Sequence, residues 1–276
     1  MKRPFVWVLA AAVAALVVPL PLRAQLTAEE IAERPAIEEF LTTAEIVKWE
    51  EIGQGVTKPW RLYLKKDGRE RRACWKDPSG VMYGFEEGWE YEIAAYRLDK
   101  LIGLNMIPVT VEREFQGKRG ALSDWAENTR GLDKIVDANI PLPVETNDAK
   151  YLTRAWDSLI ANEDRTQQNI LYTSDWRTIL FDHSRSFRST GKFLKQLMNG
   201  RTGIKRSQSG QPWLFRRLPR WFVDKLKTLD FEGIRGAVGP YLTDGEVKAI
   251  LVHRDLLLQE IDLMIKEQGE AAVLYD

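Results

Sequence analysis

The sequence predicts an α+β protein of two lobes, a small antiparallel sheet lobe followed by a mainly helical one. Between residues 46 and 126, apolar residues alternate at period two and the runs are parted by glycine-containing turns. Beyond residue 150 the apolar residues recur at helical spacing instead. With 276 residues, 44% hydrophobic and 29% charged, the chain can bury one compact core or those of two small lobes.

Lys2 and Arg3, the apolar stretch Phe5 to Leu20, and the Leu22-Arg23-Ala24 triplet after Pro19 and Pro21 have the layout of a secretory signal peptide over residues 1–24. The uncharged run from Pro4 to Leu22 is close to the minimum for a membrane span, so an uncleaved anchor is the alternative. Either way the remainder faces outward, exported to the periplasm or secreted, and no stable membrane span is left after cleavage. No cysteine follows Ala24, which argues against a lipid-modified N-terminus.

Residues 25–45 predict a leading helix, with Ile31, Ala36, Ile37, Phe40 and Leu41 on one face and Thr27 with Glu30 as a capping box. Residues 46–126 form the expected N-lobe. Ile46–Ile52, Trp60–Leu64 and Arg72–Lys76 read as strands around Gly53-Gln54-Gly55 and the Asp67-Gly68 turn. Glu86 to Leu101 reads as a helix closed by Gly103, and Ile107–Arg113 with Arg119–Leu122 as two further strands around Gln116-Gly117. Residues 127–276 form the expected C-lobe. Glu127 to Asp148, rich in Asn, Asp and Pro, is a boundary segment, an insertion or a mobile loop of that lobe. Tyr151–Ala161 reads as an amphipathic helix, Ile170–Tyr172 and Thr178–Phe181 as a hairpin ending at Asp182, and the remainder as mostly helical, clearest at Phe222–Leu229 and Glu246–Glu267.

Forty basic residues against forty acidic ones exclude a global field that recruits nucleic acid or anionic membrane, so no nucleic-acid partner is expected. The single cysteine, Cys74, excludes an internal disulfide and a thiolate metal cluster. The ten tryptophans are assigned to core and lobe interface rather than to a base-stacking platform.

The chemistry lies in Asp164-Arg165-Thr166-Gln167-Gln168-Asn169 and, after the hairpin, Phe181-Asp182-His183-Ser184-Arg185. Metal-assisted phosphoryl transfer needs one carboxylate near the attacking hydroxyl and hard oxygen ligands for the ion that neutralises the phosphates, and two loops joined by a short hairpin can present both. Alone, an acid and an amide five residues apart are equally a solvated turn with a side-chain cap. The hairpin and its terminal Asp182 set this one apart.

In that order of motifs the chain resembles the protein-kinase-like superfamily, especially its atypical branches, the phosphatidylinositol 3- and 4-kinase-like proteins and the secretory-pathway kinases. The resemblance runs through residues 46 to 190. Gly53-Gln54-Gly55-Val56 is similar to the glycine-rich phosphate loop, Lys76 to the strand lysine, Glu92, with Glu90 as a nearby competitor, to the helix glutamate that pairs with it, and Leu101–Pro108 to the helix-to-strand passage. It implies a two-lobed protein-kinase-like fold and an exported phosphotransferase using ATP or another nucleoside triphosphate with Mg²⁺ or Mn²⁺. The acceptor is an unidentified hydroxyl on protein, glycan or lipid. It further implies Asp164 as the hydroxyl-orienting residue or base, Asn169 and Asp182 as metal ligands, and backbone between Ala121 and Trp125, at Leu122 and Ser123, as the adenine hinge.

The chain departs from the family pattern at Thr166, where the lipid-kinase-like loop commonly has histidine, and at Ser184, where a glycine commonly stands. A pseudokinase acting as a nucleotide- or protein-binding module is therefore the alternative to an enzyme, and nucleotidyl transfer or nucleotide hydrolysis the alternatives within catalysis. His183 either contacts a phosphate or packs against its loop, and His253 is assigned a structural role. Arg185, Arg188, Lys192 and Lys195, then Lys205, Arg206, Arg216, Arg217 and Arg220, form either a solvated basic face or, beside a cleft, a surface for an acidic or phosphorylated substrate.

Overall fold

The computed structural model describes residues 26–53, 58–82 and 84–276. The expected signal peptide, and Gln54, Gly55 and Val56 of the glycine-rich loop, lie outside the described residues. In chain order the sheet lobe contains α1 (Ala28–Thr43), β1 (Glu45–Glu51), β2 (Trp60–Lys66), β3 (Arg69–Lys76), β4 (Ser79–Met82), β5 (Phe85–Gly88), α2 (Glu90–Ile102), β6 (Thr110–Phe115) and β7 (Lys118–Asp124). The capping box of α1 is present: Thr27 Oγ1 accepts from Glu30 N–H at 3.2 Å, and Glu30 Oε2 accepts from Thr27 N–H at 2.7 Å.

Five antiparallel strands form a sheet in the order β1-β2-β3-β7-β6. Its register divides the residues between two faces, because directly opposed residues project to the same side. Leu62 faces Ala73, and Trp75 faces Leu122; these four are buried, and α1 runs along their face with Glu39 and Glu33 pairing Lys66 and Arg71. On the other face Lys76 is opposite Ala121, which packs with Ile93 of α2, and Cys74 is opposite Ser123. Gly120 is required where it stands, because a Cβ there would meet the carbonyl oxygen of Lys76 at 2.5 Å.

The helix expected from Glu86 begins at Glu90, since Phe85–Gly88 instead pairs with Ser79–Met82 as a separate hairpin. Pro78 and Gly80 before it and Gly84 at its turn (φ +83°) are breakers that outweigh the helix-favouring Glu86 and Glu87. The strand expected from Ile107 begins at Thr110, because Pro108 has no N–H for the ladder.

The helical lobe contains β8 (Arg130–Gly131), α3 (Leu132–Asp137), α4 (Thr146–Leu159), β9 (Ile170–Tyr172), β10 (Thr178–Leu180), α5 (Arg220–Thr228), α6 (Phe231–Val238) and α7 (Asp244–Gln268). The Asn-, Asp- and Pro-rich segment is ordered: β8 pairs with β9, and α4 starts five residues before the expected Tyr151. The stretch between β10 and α5 was expected to be largely helical. It holds a single 3₁₀ turn, Gly191–Leu194, in keeping with its many Ser, Thr and Gly residues. His253 of α7 is buried, with its ring nitrogens 3.1 and 2.9 Å from the carbonyl oxygens of Leu159 and Phe193. Among the described residues no helix is long and apolar enough to cross a membrane.

Candidate active site

Lys76 is the last residue of β3, and the pleat turns it toward α2. Its Nζ lies 3.1 Å from Glu92 Oε1 and 3.0 Å from Asp182 Oδ1, so three residues far apart in sequence meet in one charged cluster. Burial alone would lower the Lys76 pKa, but Asp182 and then Glu92 outweigh it and hold the ammonium above its ordinary range. For Glu92, Lys76 and His183 overcome the effect of burial, so its carboxylate stays ionised well below the usual range. The second oxygen of Glu92 accepts the backbone N–H of His183 at 3.0 Å, which fixes the peptide following Asp182.

Arg165 joins the two loops. Its guanidinium donates to Asp157 Oδ1 and Oδ2 at 3.0 to 3.2 Å, to Asn169 O at 3.0 Å and to Phe181 O at 2.7 Å. Its Nη2 also lies 2.9 Å from His183 Nε2. Arginine can only donate, so His183 Nε2 is the acceptor and its Nδ1 carries the proton, 3.6 Å from Glu92 Oε2. Burial, reinforced by Arg165, lowers the His183 pKa and keeps the ring neutral. His183 thus packs inside the loop, and Arg165 is committed to holding the loops together. Asp157 was not singled out from the sequence. Its signal was an acid among Thr153, Ala155, Trp156 and Leu159, the buried positions of α4, where a charge requires a partner.

Asn169 donates its side-chain N–H to Asp164 O at 2.8 Å, which leaves its amide oxygen as the available acceptor. The Phe181 N–H donates to Asn169 O at 3.3 Å and brings Asn169 beside the chain entering Asp182. Asp182, two residues after β10 ends, adopts φ +61° and is 30% exposed at its side chain. Asp164 is 38% exposed; burial raises its pKa, Arg185 at 3.3 Å opposes that rise, and Asp182 reinforces it.

A carboxylate and an amide oxygen fit a hard divalent cation such as Mg²⁺ or Mn²⁺. Among the described residues no group of three or more His, Cys, Asp or Glu side chains could hold a metal. A Mg²⁺ ion commonly draws its remaining ligands from substrate phosphates and water.

Ile52 N–H donates to Pro59 O at 3.0 Å, closing the base of the loop that contains Gly53, whose φ of +68° suits glycine. The expected hinge needs adjustment. Leu122 and Ser123 are paired on both sides, with β3 and with β6, so the ladder uses their backbone groups. Leu122 also points to the face opposite Lys76, whereas Ser123 shares the Lys76 face and its hydroxyl lies 2.9 Å from that of Thr110. Trp125 N–H is bonded to Arg72 O at 3.1 Å, so backbone free of the ladder starts after Trp125.

No protein-family model matches the chain. Adenylosuccinate synthetase of Deinococcus deserti is 29% identical over 123 residues, which is 42% of this chain and 30% of that relative. Solved structures match nearly the whole chain. Hydra Fam20 with sugar superposes with a TM-score of 0.65 and 15% identity over 91% of this chain and 95% of that one. Golgi casein kinase with Mn/ADP bound gives 0.61 and 13% over 88% and 79%, and the Helicobacter pylori proinflammatory kinase CtkA gives 0.52 and 12% over 82% and 96%. The chain therefore has the two-lobed, kinase-like α+β fold of these solved structures.

Proposed function

We propose that the chain is an exported kinase-like phosphotransferase that moves the terminal phosphoryl group of a nucleoside triphosphate to a hydroxyl on protein, glycan or lipid, with Mg²⁺ or Mn²⁺. The observation that carries this reading is the meeting of Lys76 Nζ with Glu92 at 3.1 Å and Asp182 at 3.0 Å, with Asn169 bonded through its carbonyl to the Phe181 N–H and through its side chain to the Asp164 carbonyl. The Mn/ADP in the Golgi casein kinase structure supports the choice of donor and ion. Export rests on the basic and apolar composition of residues 1–24.

In this reading Gly53, Gln54 and Gly55 bring backbone N–H groups to the phosphates, and the base is received near Leu122 and Ser123, by backbone beyond Trp125. Lys76, aligned by Glu92, contacts the phosphates. Asp182 and the Asn169 oxygen would hold the metal, which would neutralise phosphate charge. Asp164 orients the acceptor hydroxyl and takes its proton as the new oxygen–phosphorus bond forms and the bridging bond to the nucleoside diphosphate breaks. Glu92, His183 and Arg165 keep these groups in register without touching the substrate.

Purified protein should bind ATP in a Mg²⁺- or Mn²⁺-dependent manner and release or transfer labelled phosphate. Asp182→Asn should remove the metal-dependent binding and lower turnover by at least about a hundredfold. Wild-type protein that binds no nucleotide would overturn the proposal. Binding without any turnover would leave a nucleotide-binding module in place of an enzyme.

A further inference from the structure

The β4–β5 hairpin stands apart from the five-stranded sheet, and the phosphotransfer reading makes no use of it. Yet its second strand is fastened to the chain just past Asp182. Gly88 N–H donates to Ser184 O at 3.0 Å, Arg185 Nε donates to Glu87 Oε1 at 2.6 Å while its Nη2 also pairs with that oxygen, and Arg188 donates to Glu86 O. From this anchorage Arg185 directs its third nitrogen, Nη1, to Asp164 Oδ2 at 3.3 Å. The ring of Phe85, 4.6 Å from the guanidinium carbon, packs against the same group.

The backbone of Asp164 is held on both sides, its N–H by Asn162 Oδ1 at 3.0 Å and its carbonyl by Asn169. Its carboxylate is held differently: among the described residues its ion-pair partner is Arg185. The Glu87 side chain is fully buried, and its Oε2 has no hydrogen-bond partner among the described residues. A buried pair with an unpaired oxygen is a poor device for stability, because apolar residues of similar volume often serve as well or better. It is a reasonable device for aiming a carboxylate.

We propose that Glu87 and Arg185 are positioning residues for Asp164: the hairpin of the sheet lobe fixes Arg185, and Arg185 fixes the carboxylate that meets the acceptor hydroxyl. Asp164 is then aligned only while hairpin and helical lobe are joined. This rests on the phosphotransfer reading.

The test uses phosphate release from labelled Mg-ATP, with water standing in for the acceptor hydroxyl, and hydrogen exchange of the catalytic-loop amides. Glu87→Gln should lower kcat about tenfold to a hundredfold with KM for ATP within about twofold. Arg185→Lys should retain more activity than Arg185→Ala, and Glu87→Gln combined with Arg185→Ala should be no worse than Arg185→Ala alone. Glu86→Gln, on the same strand but facing Arg188, should change kcat by less than about twofold. Unchanged kcat in Glu87→Gln, or additive losses in the double variant, would overturn the inference. Independently of turnover, amides 162–169 should exchange faster in Glu87→Gln than in wild type, and equal rates would also overturn it. If wild type releases no phosphate, the phosphotransfer reading falls, and the exchange rates still decide whether the clamp exists.

Discussion

Asp182 sits in the left-handed region at φ +61°, a conformation that Asn and Gly also adopt readily and β-branched residues do not. Asp182→Asn should therefore fold normally while losing its charge, whereas Asp182→Val should lose stability as well; urea midpoints separate the two effects. Lys76→Met is different. It strips the cation from Glu92, whose side chain is 5% exposed, and uncompensated buried charges of this kind cost about 3–5 kcal/mol. The expected result is a marked fall in the urea midpoint together with loss of turnover. Lys76, Glu92 and Asp182 were singled out because their order along the chain resembles that of kinase-like proteins, and the fold brings the three side chains together. The Asp157–Arg165–His183 links and the Glu87–Arg185–Asp164 contacts were not, since each joins segments whose proximity depends on the completed fold.

At the scale of elements, α1 is more than a leading helix. Its Arg34 pairs with buried Asp99 of α2 at 2.8 Å and bonds Asn105 Oδ1 at 2.7 Å, while Glu38 accepts from Tyr96 and Lys100 of α2, each at 2.6 Å. Asp99 in turn accepts from the N–H groups of Met106 and Ile107, and Met106 O accepts from Leu180 N–H at 2.8 Å, two residues before Asp182. Helix α1 is thus linked to the helix of Glu92 and to the strand that leads to Asp182. Burial pushes the Asp99 carboxyl up to about 6, against the opposing pull of Arg34. A folded pKa above the unfolded value contributes stability that is present below the unfolded pKa and lost as pH rises through the folded one. Arg34→Met, which removes the opposing charge, should therefore cost more stability at pH 8 than at pH 5, as compared by urea midpoints at the two pH values. Periodicity and the capping box located α1, but its partners were hidden, because Arg34 and Asp99 lie on different helices. The β4–β5 hairpin was missed for a local reason: two four-residue strands are too short for alternation to compete with a glutamate-rich run.

For the whole molecule, the expectation of a sheet lobe and a helical lobe agrees with the five-stranded sheet and the helices around it. The irregular stretch before α5 departs from it, because turn-forming residues leave that segment to be ordered by the surrounding core. A ligand that binds only the folded chain must stabilise it: Mg-ATP at about one hundred times its Kd should add about 2.7 kcal/mol, and a chelator should abolish the gain if the ion is required. Thermal denaturation with ATP, with Mg-ATP and with Mg-ATP plus chelator tests this. The lobes are connected by the chain after β7, by the hydrogen bonds and ion pairs of the β4–β5 hairpin to residues 184–188, and by contacts such as Lys76–Asp182, Glu92 with the His183 N–H, and Tyr91–Glu246. Lobes fastened at several points beyond their covalent joint cannot simply swing apart about it; the non-covalent fastenings have to let go. Under the proposed phosphotransfer, spent nucleotide would then leave more slowly than it is made, and rapid mixing with Mg-ATP should show a burst of phosphate before the steady rate sets in.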